Sequence, residues 1–224
     1  MPSEEAKAVQ EVARTTGKGI DAAREFGAWV APFIGGSLEQ VMGMFRDKLA
    51  YMRWERQVRL VQRAKQFLAE RGLSSGTRPI PMKLAIPLLQ AASLEEDDEL
   101  QDIWANLLVN AADANSGVEI RRAYISILEE LTPLDVRILS TIYSNPALPE
   151  QAQLLTYDLP DRIHTDKPQG DLPRPSEEVT LALGNLARLG CVTSATYLGD
   201  FAAVDRTVLG RGLYEACAAK RACR

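Results

Sequence analysis

The sequence predicts a mainly α protein, with a helical N-terminal and central region followed by a winged-helix-like α+β C-terminal module. Three observations carry that prediction. Ala, Leu, Glu, Arg and Gln are frequent while aromatic residues make up 6 %, a mix that favours helices over sheets. Leu100, Ile103, Trp104, Leu107, Leu108 and Ala111 recur at spacings of three and four, which places them on one buried face of a helix. From Ser176 onward the pattern runs helix, strand, turn, strand, helix. At 224 residues the chain can bury a sizeable core in one or two domains.

The organisation read from the sequence has three parts. Residues 1–45 form an apolar, Gly-containing helical segment, residues 46–131 a helical core domain, and residues 132–224 the winged-helix-like module with a Pro-rich insertion at 145–175. A first helix spans about Glu4 to Arg24, interrupted by Gly17 and Gly19. The next twenty residues, Phe26 to Phe45, carry one charge, Glu39. Their length would permit a membrane span, yet Pro32, Gly35-Gly36 and Glu39 break it into two short apolar helices, the second capped by Ser37. Trp29, Phe33, Ile34 and Phe45 are therefore candidates for contact with a partner or a membrane surface.

Arg46 to Arg71 reads as one long helix closed by Gly72. Trp54, Val58, Val61 and Leu68 follow a coiled-coil-like spacing, widened by Leu60, Ala64 and Phe67, while Arg53, Arg56, Arg59 and Arg63 mark a polar side. Ser74 to Pro81 is a loop, and Met82 to Ala92 is a helix that Pro87 either starts or kinks. Ser93 with Glu96 has the spacing of a capping box for the helix that follows. Asn115-Ser116-Gly117 ends that helix, Glu119 to Leu131 forms another, and Thr132-Pro133 caps and opens a helix to Tyr143.

Six prolines then punctuate 145–175, a long connection with a short helix expected near Glu150 to Leu155. The single histidine, His164, lies there as an exposed loop residue. Ser176 caps a helix from Glu177 to Leu189, closed by Gly190. Cys191 to Thr193 and Phe201 to Val204 read as short strands about a Gly199-Asp200 turn, and Thr207 caps a final helix through Leu209, Leu213 and Cys217.

Charge divides the chain sharply. Arg46 to Gly72 holds eight Lys/Arg against three Asp/Glu, whereas Ala91 to Val118 holds seven acids and no base. Two such segments pair internally or present themselves to a partner. Arg53, Arg56, Arg59, Arg63, Glu95, Glu99 and Asp102 are accordingly candidate interaction residues. The bland reading faces the carboxylates toward the basic helix and buries the Trp104 side. The sharper one makes the arginines a phosphate-tracking surface. The module from Ser176 argues against DNA readout, because its candidate recognition helix opens with Glu177 and Glu178 and offers only Asn185 and Arg188 to a nucleic acid.

Catalytic patterns do not emerge. Thr16-Gly17-Lys18-Gly19 lacks the upstream glycine and the following Ser/Thr of a phosphate-binding loop, and no nucleophile elbow or Cys/His dyad is found. Cys191, Cys217 and Cys223 have no CxxC spacing, which argues for free thiols in a reducing compartment. The acidic cluster lies on a single helix, whereas a cation site wants ligands from several elements, so no metal and no cofactor are assigned. The reading is a cytoplasmic protein with an alternative place at the periphery of the inner membrane.

Several motifs together resemble a known family. Pro79-Ile80-Pro81, then Ile86-Pro87-Leu88-Leu89-Gln90-Ala91-Ala92-Ser93, then Leu100-Gln101-Asp102-Ile103-Trp104-Ala105-Asn106-Leu107-Leu108, is similar to the central signature of the Abi-alpha (abortive infection alpha) family. Leu131-Thr132-Pro133-Leu134-Asp135, Leu186-Ala187-Arg188-Leu189-Gly190 and Thr207-Val208-Leu209-Gly210 also fit, with Val208 standing where Pro is usual. The resemblance runs from Arg46 to the C-terminus and brings no catalytic residues with it. It implies a non-enzymatic bacterial protein of an antiphage or toxin-like module that acts through protein contacts or self-association. The alternatives are a membrane-acting effector using Phe26 to Phe45 and a nucleic-acid binder using Arg53 to Arg63.

Overall fold

The computed structural model describes residues 24, 27–34, 54–145, 148–149, 152–166, 172–196 and 200–219. The expectations for Glu4 to Ala23, the break at Gly35-Gly36, Ser37, Phe45 and Arg53 lie outside those residues. The chain is mainly helical with one small three-stranded antiparallel sheet toward its C-terminus. It divides into two compact units, one reaching Glu119 and the other running from Ile120 to Ala218.

The first unit holds α1 (Trp54–Glu70), α2 (Met82–Leu94) and α3 (Asp98–Ala112). The end of α1 is a Schellman closure. Leu73 N–H donates to the Leu68 carbonyl (2.9 Å) and Gly72 N–H to that of Ala69 (2.9 Å), with Gly72 at φ 71°. The buried stripe of α1 is Gln57, Leu60, Ala64, Phe67 and Leu68, and Val58 and Val61 are half-buried. The heptad seam therefore sits one column away from the spacing expected. Pro87 lies inside α2 rather than at its start, five residues after Met82. Its missing N–H frees the Lys83 carbonyl, but Ala85, Leu88, Leu89 and Ala92 are buried around it and hold the helix.

The cap of α3 differs from expectation. Ser93 remains in α2, buried, with its hydroxyl donating to the Leu89 carbonyl (2.7 Å). Asp97 is the N-cap, accepting from the Glu99 and Leu100 N–H groups (2.9 Å each), and Glu95 accepts from the Asp97 N–H (2.9 Å). Burial of Ala92 and Ser93 extends α2 to Leu94, so the capping position moves four residues on. α3 ends at Ala112, before Asn115-Ser116-Gly117. Gln101 and every residue from Trp104 to Ala112 are buried, which makes α3 the centre of its unit. Residues 27–34 are helical and add Val30, Phe33 and Ile34 to this core, where Ile80 N–H donates to the Phe33 carbonyl.

The second unit holds α4 (Arg122–Leu128), α5 (Pro133–Tyr143), β1 (Leu154–Leu155), α6 (Glu177–Arg188), β2 (Val192–Ser194), β3 (Ala203–Arg206) and α7 (Val208–Cys217). The strand order is β1-β3-β2, with Leu154 opposite Val204 and Thr193 opposite Asp205. Leu154 and Leu155 are strand, not the helix expected there. They bury both side chains against β3, and a two-residue strand carries too short a run to show any period. His164 is half-buried rather than free in a loop. It bridges to Leu155, stacks on Tyr157 with ring centroids 4.8 Å apart, and places Nε2 3.0 Å from Asp158 Oδ2.

Each helix start from α5 onward is capped as its sequence requires: Thr132 for α5, Ser176 for α6 and Thr207 for α7. Tyr143 ties this unit together. Its hydroxyl donates to the Cys191 carbonyl (2.6 Å) and accepts from the Thr207 N–H (2.9 Å). Gly210 passes so close that a Cβ there would collide with that same carbonyl and with the tyrosine hydroxyl.

Candidate interaction site

The two charged segments meet as a ladder between α1 and α3. Arg56 reaches Asp98, Arg59 reaches Asp98 (3.2 Å) and Asp102 (3.0 Å), and Arg63 grips both carboxylate oxygens of Asp102, with Nε 2.7 Å from Oδ1. The spacing explains the match. Arginines at i, i+3 and i+7 of one helix face aspartates at i and i+4 of the other, so each side presents a single column. Gln101, fully buried between them, accepts from Arg59 (3.0 Å) and donates to the Arg56 and Ala92 carbonyls. Arg63 also lies 4.7 Å over the Phe67 ring.

Electrostatics follow the geometry. The hydrogen bond from Arg56 holds the exposed Asp98 carboxyl below its usual range, and the bond to Asp102 raises the Arg63 guanidinium. Farther along, Arg71 donates to Asn110 (2.8 Å) and lies 3.7 Å from Asp113, its burial lowering its affinity for the proton. Arg78 is taken up by the carbonyls of Ala111 (2.7 Å) and Val118 (2.6 Å).

Of the candidate interaction residues, Arg56, Arg59, Arg63 and Asp102 thus come together and satisfy one another. Glu95 serves the α3 cap instead, Glu99 is exposed, and Arg53 lies outside the described residues. Asp98, absent from the expected set, takes two of the arginines. Phe33 and Ile34 are buried, while Trp29 is half-buried with its ring 4.5 Å from Phe33. Among the described residues no helix is long and apolar enough to cross a membrane, and no group of three or more acids, histidines or cysteines converges as a metal site. Burial pushes the thiols of Cys191 and Cys217 up to about 11 and about 12, so both stay protonated near neutrality.

A different surface lies in the second unit. The start of α5 and the outer face of α6 enclose a groove of about 570 Å³, lined by Thr132, Pro133, Leu134, Arg137, Glu178, Leu181 and their neighbours. Asp135 builds its wall. Its Oδ2 accepts from the Thr132 N–H (2.8 Å) and hydroxyl (2.9 Å), completing a capping box, and from Asn185 Nδ2 (3.1 Å) of α6. Asn185 also donates to the Glu130 carbonyl (3.2 Å), and Arg188 pairs with Glu130 (2.6 Å). The two side chains of α6 suited to nucleic-acid contact are therefore turned onto the loop before α5.

What α6 offers outward is apolar and acidic. Leu181 is 70 % exposed, and Glu177 and Glu178 are exposed beside it. The signal was present in the sequence. Val179, Leu183 and Leu186 define the buried side of α6, and Leu181 falls two residues from either of the first pair, on the wrong side for the core.

The chain matches the family model described as Abortive infection alpha over residues 55–217. No curated protein and no solved structure matches the chain.

Proposed function

The chain belongs to the abortive infection alpha family, and we propose that it serves bacterial defence against phage by binding another protein through the outer face of α6. The observation that carries this reading is Leu181, a large aliphatic side chain at 70 % exposure beside a groove and two acids. Apolar surface rimmed by polar groups is what protein contacts bury, whereas a phosphate backbone requires unpaired cations. The arginines expected for the latter, Arg56, Arg59 and Arg63, are paired with Asp98 and Asp102, and Arg188 of α6 is paired with Glu130.

The second unit reads as a winged-helix-like module put to this use. The order α4-α5-β1-α6-β2-β3, with β3 between β1 and β2, supports that reading. A fold of this kind carries no function by itself, and here the chemistry of α6 decides. We place the protein in the cytoplasm on the same reading, since Phe33 and Ile34, two of the four side chains expected to meet lipid or a partner, contribute to a core.

The test is a phage challenge of bacteria expressing the chain. Leu181→Asp is expected to abolish protection while leaving the thermal midpoint of the purified protein unchanged. Full protection by this variant, or no protection by the wild type, contradicts the proposal.

A further inference from the structure

Besides the buried, hydrogen-bonded Asp135, one cation and one anion line the groove beside Leu181. Arg137 on α5 and Glu178 on α6 both line it, and neither has an ion-pair partner among the described residues. Leu134, Ala182 and Pro133 line it as well, and Leu181, also in the lining, is largely exposed. One face thus carries a protruding apolar side chain, a recess next to it, and charges of opposite sign on the rim.

A surface with a knob, a hole and both signs of charge is self-complementary. We propose that the occupant of this groove is a second copy of the same chain, in a twofold arrangement that seats each Leu181 in the recess of the other. In an isologous contact, whatever residue i does to residue j is repeated by j to i. Arg137 and Glu178 line the same groove, so a twofold contact that sets each Glu178 against the other copy's Arg137 is favoured over one that opposes like charges. This inference rests on the reading of α6 as a protein-binding face and names its partner.

The size of the patch fixes the strength expected. Stable interfaces engage about 20–30 residues a side, and the groove with its rim is smaller. The dimer is therefore weak and reversible, forming at tens to hundreds of micromolar (an order-of-magnitude expectation for a small interface). Each rim ion pair is exposed and screened, so salt weakens it further.

Sedimentation velocity on the full chain from 5 to 500 µM, with circular dichroism melting to verify the fold of each variant, decides the matter. The wild type is expected to show concentration-dependent dimerisation that weakens between 0.05 and 0.5 M NaCl. Leu181→Asp weakens it more than tenfold. Arg137→Glu and Glu178→Arg each weaken it at least threefold, and the double exchange restores it to within twofold of the wild type. A wild type that stays monomeric throughout, single reversals without effect, or a double exchange that fails to recover overturns the proposal. Because the dimer is measured in the tube and protection in the cell, a monomeric wild type whose Leu181→Asp variant still loses protection overturns the self-association while leaving the protein-binding reading intact.

Discussion

Charge is used in opposite ways in the two units. In the first, Arg56, Arg59 and Arg63 lie against Asp98 and Asp102 with Gln101 buried beneath, and the ladder is complete without any partner. In the second, Arg137 and Glu178 line the same groove with no ion-pair partner among the described residues, beside an exposed leucine. Arg56, Arg59 and Arg63, from the most basic stretch of the sequence, are thus part of an internal seam with Asp98 and Asp102, and the groove sits where the sequence is almost ordinary. A run of like charge says that a counter-run is needed; it does not say that the counter-run is on another molecule.

The sharpest way to break this contrast is within α6 itself. Leu183 is fully buried and Leu181 is exposed, two residues apart on one helix. Leu183→Ala is expected to lower unfolding free energy by about 2–5 kcal/mol, as large-to-small core changes do. Leu181→Ala should stay within about 0.5 kcal/mol of the wild type. Urea titration reads both, and equal losses would remove Leu181 from the surface.

A smaller effect probes the ladder. Asp102→Ala leaves Arg59 and Arg63 without their shared carboxylate, but about a quarter of that side chain is open to water (27 %), so screening limits the cost to about 1 kcal/mol. Denaturation at low and high salt should bring variant and wild type together as salt rises. A difference independent of salt would mean that packing, not charge, is what Asp102 supplies.

The smallest effect is a titration. Asp98 has its carboxyl held below 3.8, first by the Arg56 hydrogen bond. A group depressed on folding adds stability that is present above its unfolded value and lost as pH falls through its folded one. Its contribution should therefore fade only below about pH 4, in the range set by that reference value. NMR titration of Asp98 is expected to give a midpoint under 3.8, returning toward it in Arg56→Gln; an unchanged midpoint in that variant contradicts the pairing.

Much of the first unit was legible in the sequence, because α1 and α3 show strong periods and opposite charge blocks. Which residues do the work was less so. Ser93, Glu95, Glu96 and Asp97 all have side chains able to cap, and only the burial of Ala92 and Ser93 at the end of α2 assigns the role to Asp97. The same holds for the ladder, where Asp98 joins Asp102 in taking the arginines, while Glu95 lies before α3 and serves its cap and Glu99 is exposed. In the second unit the caps at Thr132, Ser176 and Thr207 were read directly, each being a hydroxyl ahead of an apolar period. β1 was not, since Leu154 and Leu155 become a strand only through pairing with Ala203 and Val204 far along the chain. The groove was not either. It requires α5 and α6 side by side, and its one local sign was a leucine out of phase with its helix.

The claim that α6, and not the charged seam of α1, is the working surface is tested most directly by placing one aspartate on each. Leu181→Asp and Gln62→Asp both alter exposed positions, the second on α1. In a phage plating assay at matched expression and matched thermal midpoints, protection should be lost with the first and kept with the second. Protection that survives Leu181→Asp, or fails equally with Gln62→Asp, contradicts the account.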